Sequence, residues 1–231
     1  MNKEKGSLYC VSVGPGDPEL LTLKAKRILQ QCPIIAAPVT GGEKTMALDI
    51  VRGALDITGK EILLLDFPMV SDRLIVEKSH SEHSDLLAAK LEQGLDVAVV
   101  SIGDVSVYST LPYVGDIIKA RGYVVTMLPG VTSFCACACA LGQSLTTMQK
   151  PLHIFPGSFA DMELALSMDG TKVFMKSGKQ MASVREQILA AGQPAAAVVN
   201  CGLETEAVYQ QLCEMPEKTG YFTTIIVKEK M

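Results

Sequence analysis

The chain has no excess of positive charge. Its 231 residues carry a formal net charge of -4 and a pI near 5.4, which argues against a nucleic-acid surface. No apolar stretch is both long and unbroken enough to span a bilayer. The opening MNKEKGSLYC holds lysines but leads into a strand-like run, so it does not read as a signal peptide, and a cytoplasmic protein is expected. The seven cysteines are an odd number and do not read as a disulfide framework. Catalytic signatures are scarce as well. No Gly-Lys-Ser/Thr follows the first glycine turn, and GPGDPE has no third glycine at the dinucleotide spacing. No Ser-His-Asp or zinc constellation stands out.

What the chain does have is apolar material. Its hydrophobic fraction is 48% and its mean hydropathy +0.26, enough for one large domain or two small ones. Strands are expected at LYCVSVG, IIAAP, EILLLDF, VAVVSIG and YVVTML, with helices between them. In the first helix Asp17 reads as the cap, with Pro18 behind it, and Leu21, Ala25, Ile28, Leu29 and Cys32 share a face. SDLLAAKLEQG reads as a helix capped by Ser84 and stopped at Gly94. Alternating strands and helices up to about Pro129 imply a parallel sheet. Beyond a helix opening at PGVTSF come LHIF, KVFM, AAAVVN, AVYQQL and FTTIIVK. The last two have no helix between them, which implies a mixed sheet. The expected fold class is therefore α/β, with two α/β domains, 1–128 and 129–231, the first with a mostly parallel sheet and the second with a mixed one.

Ligands of open α/β sheets bind outside the carboxyl ends of the strands. Three glycine turns fall at such ends: VGPGD, SIGDVSVYST and LPGVTSF. Gly103 lets backbone approach a ligand closely, and Asp104 stands where a buried strand meets the cleft. Ser109 and Thr110 add hydroxyls, with Thr110 also suited to cap the next helix. Cys135, Cys137 and Cys139 in CACAC point to different faces of a helix, so packing explains them better than a metal. His80 and His83 in SHSEHS read as a solvated loop, and His153 as a core or interface residue.

Together, VGPGDPELLTLKA, GDVSVYST, PGVTSF, VFMKSGK and VVNCGLETE resemble the tetrapyrrole methylase family of S-adenosylmethionine-dependent methyltransferases, over nearly the whole chain. Where that family usually has proline after Gly-Asp, this chain has Val105. SVYST and the following PGVTSF look most like the methylases that act at C20 of precorrin-2 or cobalt-factor II in cobalamin biosynthesis. The resemblance implies a homodimer acting on a small tetrapyrrole, with an active-site cleft between its two α/β domains; the charge, the hydropathy and the missing metal constellation lead to no expected nucleic-acid partner, membrane partner or metal. It implies S-adenosylmethionine contacts at Pro15, Ile102, Gly103, Asp104, Val107, Thr132, Ser133, Met175, Lys176 and Gly202. Asp104 is the candidate catalytic group, orienting the substrate or offsetting charge that develops on the ring system. Lys176 and Lys179 are candidates for the substrate's carboxylates. Rival readings are a methylase of the same fold acting on another corrin carbon, on diphthine or on ribosomal RNA, or a non-catalytic nucleotide-binding module.

Overall fold

A computed structural model describes residues 4–39, 45–68, 70, 72–147 and 149–229. The chain divides into two compact units, Met1–Val131 and Thr132–Met231.

Unit 1 is a five-stranded sheet built from β1 (Leu8–Ser12), β2 (Ile34–Val39), β3 (Glu61–Asp66), β4 (Val97–Ser101) and β5 (Val125–Leu128), in the order β3-β2-β4-β1-β5. Every pairing is parallel. Strands buried on both faces read as continuous apolar runs, and VAVVS of β4 is such a run at the sheet's centre. Its side chains alternate between two cores. Ala98 and Val100 join Ala25 and Leu29 of α1 (Leu23–Gln31) and Leu48 and Val51 of α2 (Met46–Ala54). Val97 and Val99 join Leu87 and Leu91 of α3 (Arg73–Glu92) and Val114 and Ile118 of α4 (Leu111–Ala120). The helices therefore cover both faces, two on each.

Two helix starts differ from the sequence reading. Asp17 caps a single 3-10 turn, Pro18–Leu20, with its side chain accepting from the Glu19 N–H. The chain then extends at Leu21, and α1 starts after Thr22, whose hydroxyl accepts from the Ala25 N–H at 3.1 Å. The second, weaker-looking cap lies a turn downstream of the obvious one. Likewise Ser84 is not a cap. It lies inside α3, buried, with its hydroxyl donating to the His80 carbonyl one turn back at 2.7 Å. The real cap is Asp72, which accepts from the Leu74 N–H, so His80 and His83 are helical and not part of a loop.

Unit 2 holds β6 (Leu152–Pro156), β7 (Thr171–Met175), β8 (Ala195–Val199), β9 (Ala207–Tyr209) and β10 (Thr223–Val227), in the order β6-β7-β10-β8-β9. The β6–β7 pair is parallel and the rest antiparallel, the mixed sheet expected. Its core joins Phe174, Ala197 and Ile225 of the sheet to α6 (Met162–Ser167) and α7 (Met181–Ala191). The segment AVYQQL forms a strand only as far as Tyr209, and Leu212–Glu214 is a 3-10 turn. CACAC lies in α5 (Ser133–Ala140), with Cys137 buried and Cys135 and Cys139 exposed, as helical spacing requires.

Among the described residues no helix is long and apolar enough to cross a membrane, and no group of three or more His, Cys, Asp or Glu side chains is placed to hold a metal.

Candidate active site

The five strands of unit 1 run in one direction, so their carboxyl ends share one edge. There the opening turn and the loop after β4 are fastened together. Val13 N–H donates to Ser101 O at 2.9 Å, Gly103 N–H to Gly14 O at 2.7 Å, and Gly14 N–H to Gly103 O at 3.3 Å. Both glycines have left-handed backbone, φ +79° at Gly14 and +74° at Gly103, a region that side chains disfavour. The Ser12 hydroxyl, fully buried at the end of β1, accepts from the Val105 N–H at 2.8 Å. Val105, in the place of the family's usual proline, is buried in the core beneath the loop.

Asp104 is the knot of this arrangement. Its Oδ1 accepts from the Ser106 N–H at 2.8 Å and the Ser106 hydroxyl at 2.5 Å, and its Oδ2 accepts from the Gly130 N–H at 2.7 Å. Burial pushes the carboxyl pKa up, but these hydrogen bonds outweigh it and hold the group below its ordinary value. The close packing explains Gly130 as well. A Cβ there would stand 2.5 Å from the Ser12 Cβ and 3.0 Å from the Gly103 carbonyl oxygen. Pro15, Ile102, Gly103, Asp104 and Val107 thus gather at one sheet edge, with Pro15 and Gly103 buried and Ile102 and Val107 half-buried. Thr110 occupies the cap position of α4 without a side-chain bond, while the Ser109 hydroxyl accepts from the Leu111 N–H and lies 3.2 Å from the Ser101 hydroxyl.

In unit 2, β7 and β8 both run antiparallel to β10, so their carboxyl ends also share an edge. Met175 is buried there, and Lys176 follows it with φ +58°. Burial lowers the Lys176 pKa, and its Nζ lies 6.0 Å from the centre of the Tyr221 ring. The Lys179 side chain lies outside the described residues. After β8, Asn200 has φ +52° and Gly202 φ +77°. The Gly202 N–H donates to Glu206 Oε2 at 2.7 Å. Cys201, between them, hydrogen-bonds Cys137 of α5, which lowers the Cys137 thiol pKa. Thr132 and Ser133 open α5, which packs on β8 and β10. The Thr132 hydroxyl is buried with no hydrogen-bond partner among the described residues, as is that of Ser177 beside Lys176.

The three positive-φ non-glycine residues found among the described ones are Tyr108, Lys176 and Asn200. Each lies within a turn nominated from sequence or directly beside one. Such strain gathers where backbone shape serves a ligand. Sequence reasoning missed the holders of these turns. Gly130 was visible within PGVTSF, but a polar residue ending a buried strand, as Ser12 does, gives no signal of its partner. His153, half-buried on β6, places Nε2 2.9 Å from the Asp169 carbonyl oxygen.

A family model described as Tetrapyrrole (Corrin/Porphyrin) Methylases matches residues 7–215. A probable cobalt-precorrin-2 C(20)-methyltransferase of Methanocaldococcus jannaschii is 36% identical, over 77% of this chain and 75% of the relative. The cobalt-precorrin-2 C(20)-methyltransferase of Salmonella typhimurium is 31% identical, over 97% of both chains. Among solved structures, a cobalt precorrin-4 methyltransferase aligns with TM-score 0.75 at 20% identity, over 96% of this chain and 94% of its own. A uroporphyrin-III C-methyltransferase of Thermus thermophilus, solved with S-adenosylhomocysteine, aligns with TM-score 0.70 at 21% identity, over 96% and 92%. At these identities the structural likeness speaks for the shared fold.

Proposed function

The chain belongs to the tetrapyrrole (corrin/porphyrin) methylases, and from that membership we propose that it methylates C20 of precorrin-2 or of its cobalt complex, in cobalamin biosynthesis. It is a methyltransferase whose donor is S-adenosylmethionine. The observation that carries the C20 assignment is the near end-to-end likeness to the Salmonella enzyme, 97% of each chain.

The residues present fit the donor. The Thr132 hydroxyl, without a partner among the described residues, and the open first turn of α5, which lacks a side-chain cap, suit the polar groups of an amino-acid and ribose moiety. The positive-φ glycine turns at Gly103 and Gly202 bring backbone where side chains would obstruct. Bound S-adenosylmethionine supplies a methyl group already activated on a sulfonium. What is left to the protein is alignment and exclusion of water. The donor contacts are carried over from the family resemblance, at Pro15, Ile102, Gly103, Val107, Thr132, Ser133, Met175, Lys176 and Gly202.

Asp104 acts chiefly by holding the loop. Both its oxygens already accept protein hydrogen bonds, so its negative charge reaches the reacting ring system as a fixed field and not as a proton acceptor. A reduced tetrapyrrole has electron-rich meso carbons, so C20 attacks without a strong base and loses its proton afterwards. We place the enzyme in the cytoplasm as a homodimer, in keeping with the family resemblance.

The test is calorimetry with S-adenosylmethionine, followed by incubation with precorrin-2 and cobalt-precorrin-2 in parallel, read by mass spectrometry. The reading expects donor binding and one added methyl on one of the two tetrapyrroles. A folded protein that binds neither the donor nor S-adenosylhomocysteine overturns it.

A further inference from the structure

Four rings form a row on unit 1. Phe67 follows β3, His80 and His83 stand nearly one turn apart on α3, and Tyr113 lies in the first turn of α4. His83 Nε2 donates to the Asp66 carbonyl at 2.8 Å, which fixes that end of the row to backbone. The Phe67 ring meets His83 edge-on at 4.7 Å between centroids and His80 at 5.9 Å. His80 then stacks on Tyr113, 5.7 Å between centroids and 12° from parallel. The far end of the row opens to water, with Tyr113 63% exposed. Among the described residues the half-buried His80 ring has ring neighbours and no hydrogen-bond partner. Burial lowers its pKa, the neighbouring His83 lowers it further and Glu77 opposes both, so near neutrality the imidazole is uncharged and carries one N–H.

The strand register places this row beside the candidate active site. Ala36 of β2 pairs with Leu63 of β3 on one side and Val99 of β4 on the other. Phe67 follows the last residue of β3 and Gly103 lies two residues past the end of β4, so both stand at the carboxyl-end edge of the sheet. Only β2 separates their strands, two strand spacings or about 10 Å. Tyr113 follows directly from the loop that carries Asp104 and Val107. A ligand broad enough to reach across two strand spacings would meet both.

We propose that Phe67, His80 and Tyr113 form a positioning wall for the tetrapyrrole, with the macrocycle's edge packed on Tyr113 and the His80 N–H bonded to one of its carboxylate side chains. His83 is the anchor that holds Phe67 in the row. The inference rests on the tetrapyrrole reading above, and supplies the substrate contacts that the donor-binding turns do not.

The experiment uses His80→Ala and Tyr113→Ala, with His80→Gln and Tyr113→Phe as restoring partners that keep an N–H and a ring. Four quantities are read: affinity for precorrin-2 and cobalt-precorrin-2 by absorbance titration, donor affinity by calorimetry, melting temperature, and kcat with KM for the tetrapyrrole. His80→Ala should weaken tetrapyrrole binding about tenfold, the scale of one lost hydrogen bond to a charged group, and Tyr113→Ala by a comparable factor, the scale of one lost aromatic packing contact. KM should rise more than kcat falls, and donor affinity and melting temperature should hold. The restoring variants should recover most of the loss. Unchanged tetrapyrrole affinity in both alanine variants overturns the proposal, as does a parallel loss of donor affinity. If His80→Ala melts early, the exposed Tyr113 pair decides the matter. A wild-type protein that binds both tetrapyrroles and methylates neither defeats the C20 reading and leaves the wall standing. One that binds no tetrapyrrole defeats both.

Discussion

The loop edges of the two units solve the same problem differently. In unit 1 the turns satisfy one another: Gly14 and Gly103 exchange backbone hydrogen bonds, Ser12 holds Val105, and Asp104 gathers three donors from Ser106 and Gly130. In unit 2 the turns keep more unmet capacity: Thr132 and Ser177 hold buried hydroxyls without partners among the described residues, and Lys176 and Asn200 sit in left-handed backbone without being glycine, against Thr45 and Tyr108 in unit 1. A network that closes on itself is rigid before any ligand arrives. Orphan polar groups and strain are costs that a ligand can relieve. The contrast implies that the loop edge of unit 1 is largely preformed, while the turns of unit 2 carry more strain and more unpaired polar groups that a ligand could relieve.

The sharpest way to break the unit 1 side is Gly130→Ala. The new methyl would meet Ser12 Cβ at 2.5 Å and Gly103 O at 3.0 Å, so the loops must part. Overpacking of this kind costs roughly 1–3 kcal/mol. We expect a clearly lowered melting temperature and donor affinity reduced beyond detection by calorimetry. Wild-type donor affinity in this variant would show that the network does not shape the site.

Next comes Asp104→Asn. The amide can accept through one oxygen, and its NH₂ faces donors where an acceptor stood. Leaving a buried donor unpaired costs about 1–3 kcal/mol, so stability and donor affinity should fall together, with turnover following affinity. A loss of turnover alone, under saturating donor in a single-turnover assay, would move Asp104 from the loop to the chemistry. The pH dependence has a fixed sign. A carboxyl whose folded pKa is lowered stabilises the fold above its unfolded value and loses that contribution as pH falls through the folded value. Thermal melts from neutral into acid should therefore show the wild type losing its advantage over Asp104→Asn only at the acid end.

On the unit 2 side, Thr132→Val removes the orphan hydroxyl at nearly constant shape. Apo stability should hold or rise slightly, while donor affinity falls about five- to tenfold, the net worth of one hydrogen bond. A destabilised apo protein with unchanged donor affinity would mean that the hydroxyl serves the fold. The smallest effect belongs to Lys176→Gly. Relief of left-handed strain, offset by a more flexible unfolded chain, should stabilise the apo protein by up to about 1 kcal/mol in a denaturant titration. A loss of stability would show that the Lys176 contacts outweigh its strain.

Strands and turns were legible because they rest on local chemistry. Continuous apolar runs gave β1 and β4, and glycines marked turns whose φ is indeed positive at Gly14, Gly103 and Gly202. Helix starts were less legible, because Asp17 and Ser84 have the right chemistry in the wrong place. A cap is chosen by which turn can bury its apolar face, and that depends on the sheet beneath. The long-range half of the clamp around Asp104 was not legible. Ser106 is a local partner two residues on, but Gly130 reaches Asp104 from 26 residues away and Ser12 holds the neighbouring Val105 from another stretch of chain, and no local pattern announces either. The ring row failed for a related reason: SHSEHS is polar enough to read as loop until α3 is seen to carry it against Phe67 and Tyr113.

The placement of β1 sets a timetable for the nascent chain. Though it precedes both in the chain, this strand lies inside the sheet, with β4 and β5 as its neighbours. Leu8 pairs with Val97 and with Val125, so an early apolar strand must wait for about a hundred further residues before either flank is covered. The last fastening, from Gly130 to Asp104, closes only after β5 has emerged. At a synthesis rate of roughly 5–20 residues per second, that leaves several seconds during which LYCVS has no sheet to join. In that interval a holding chaperone would do most for yield, and overexpression would do most harm.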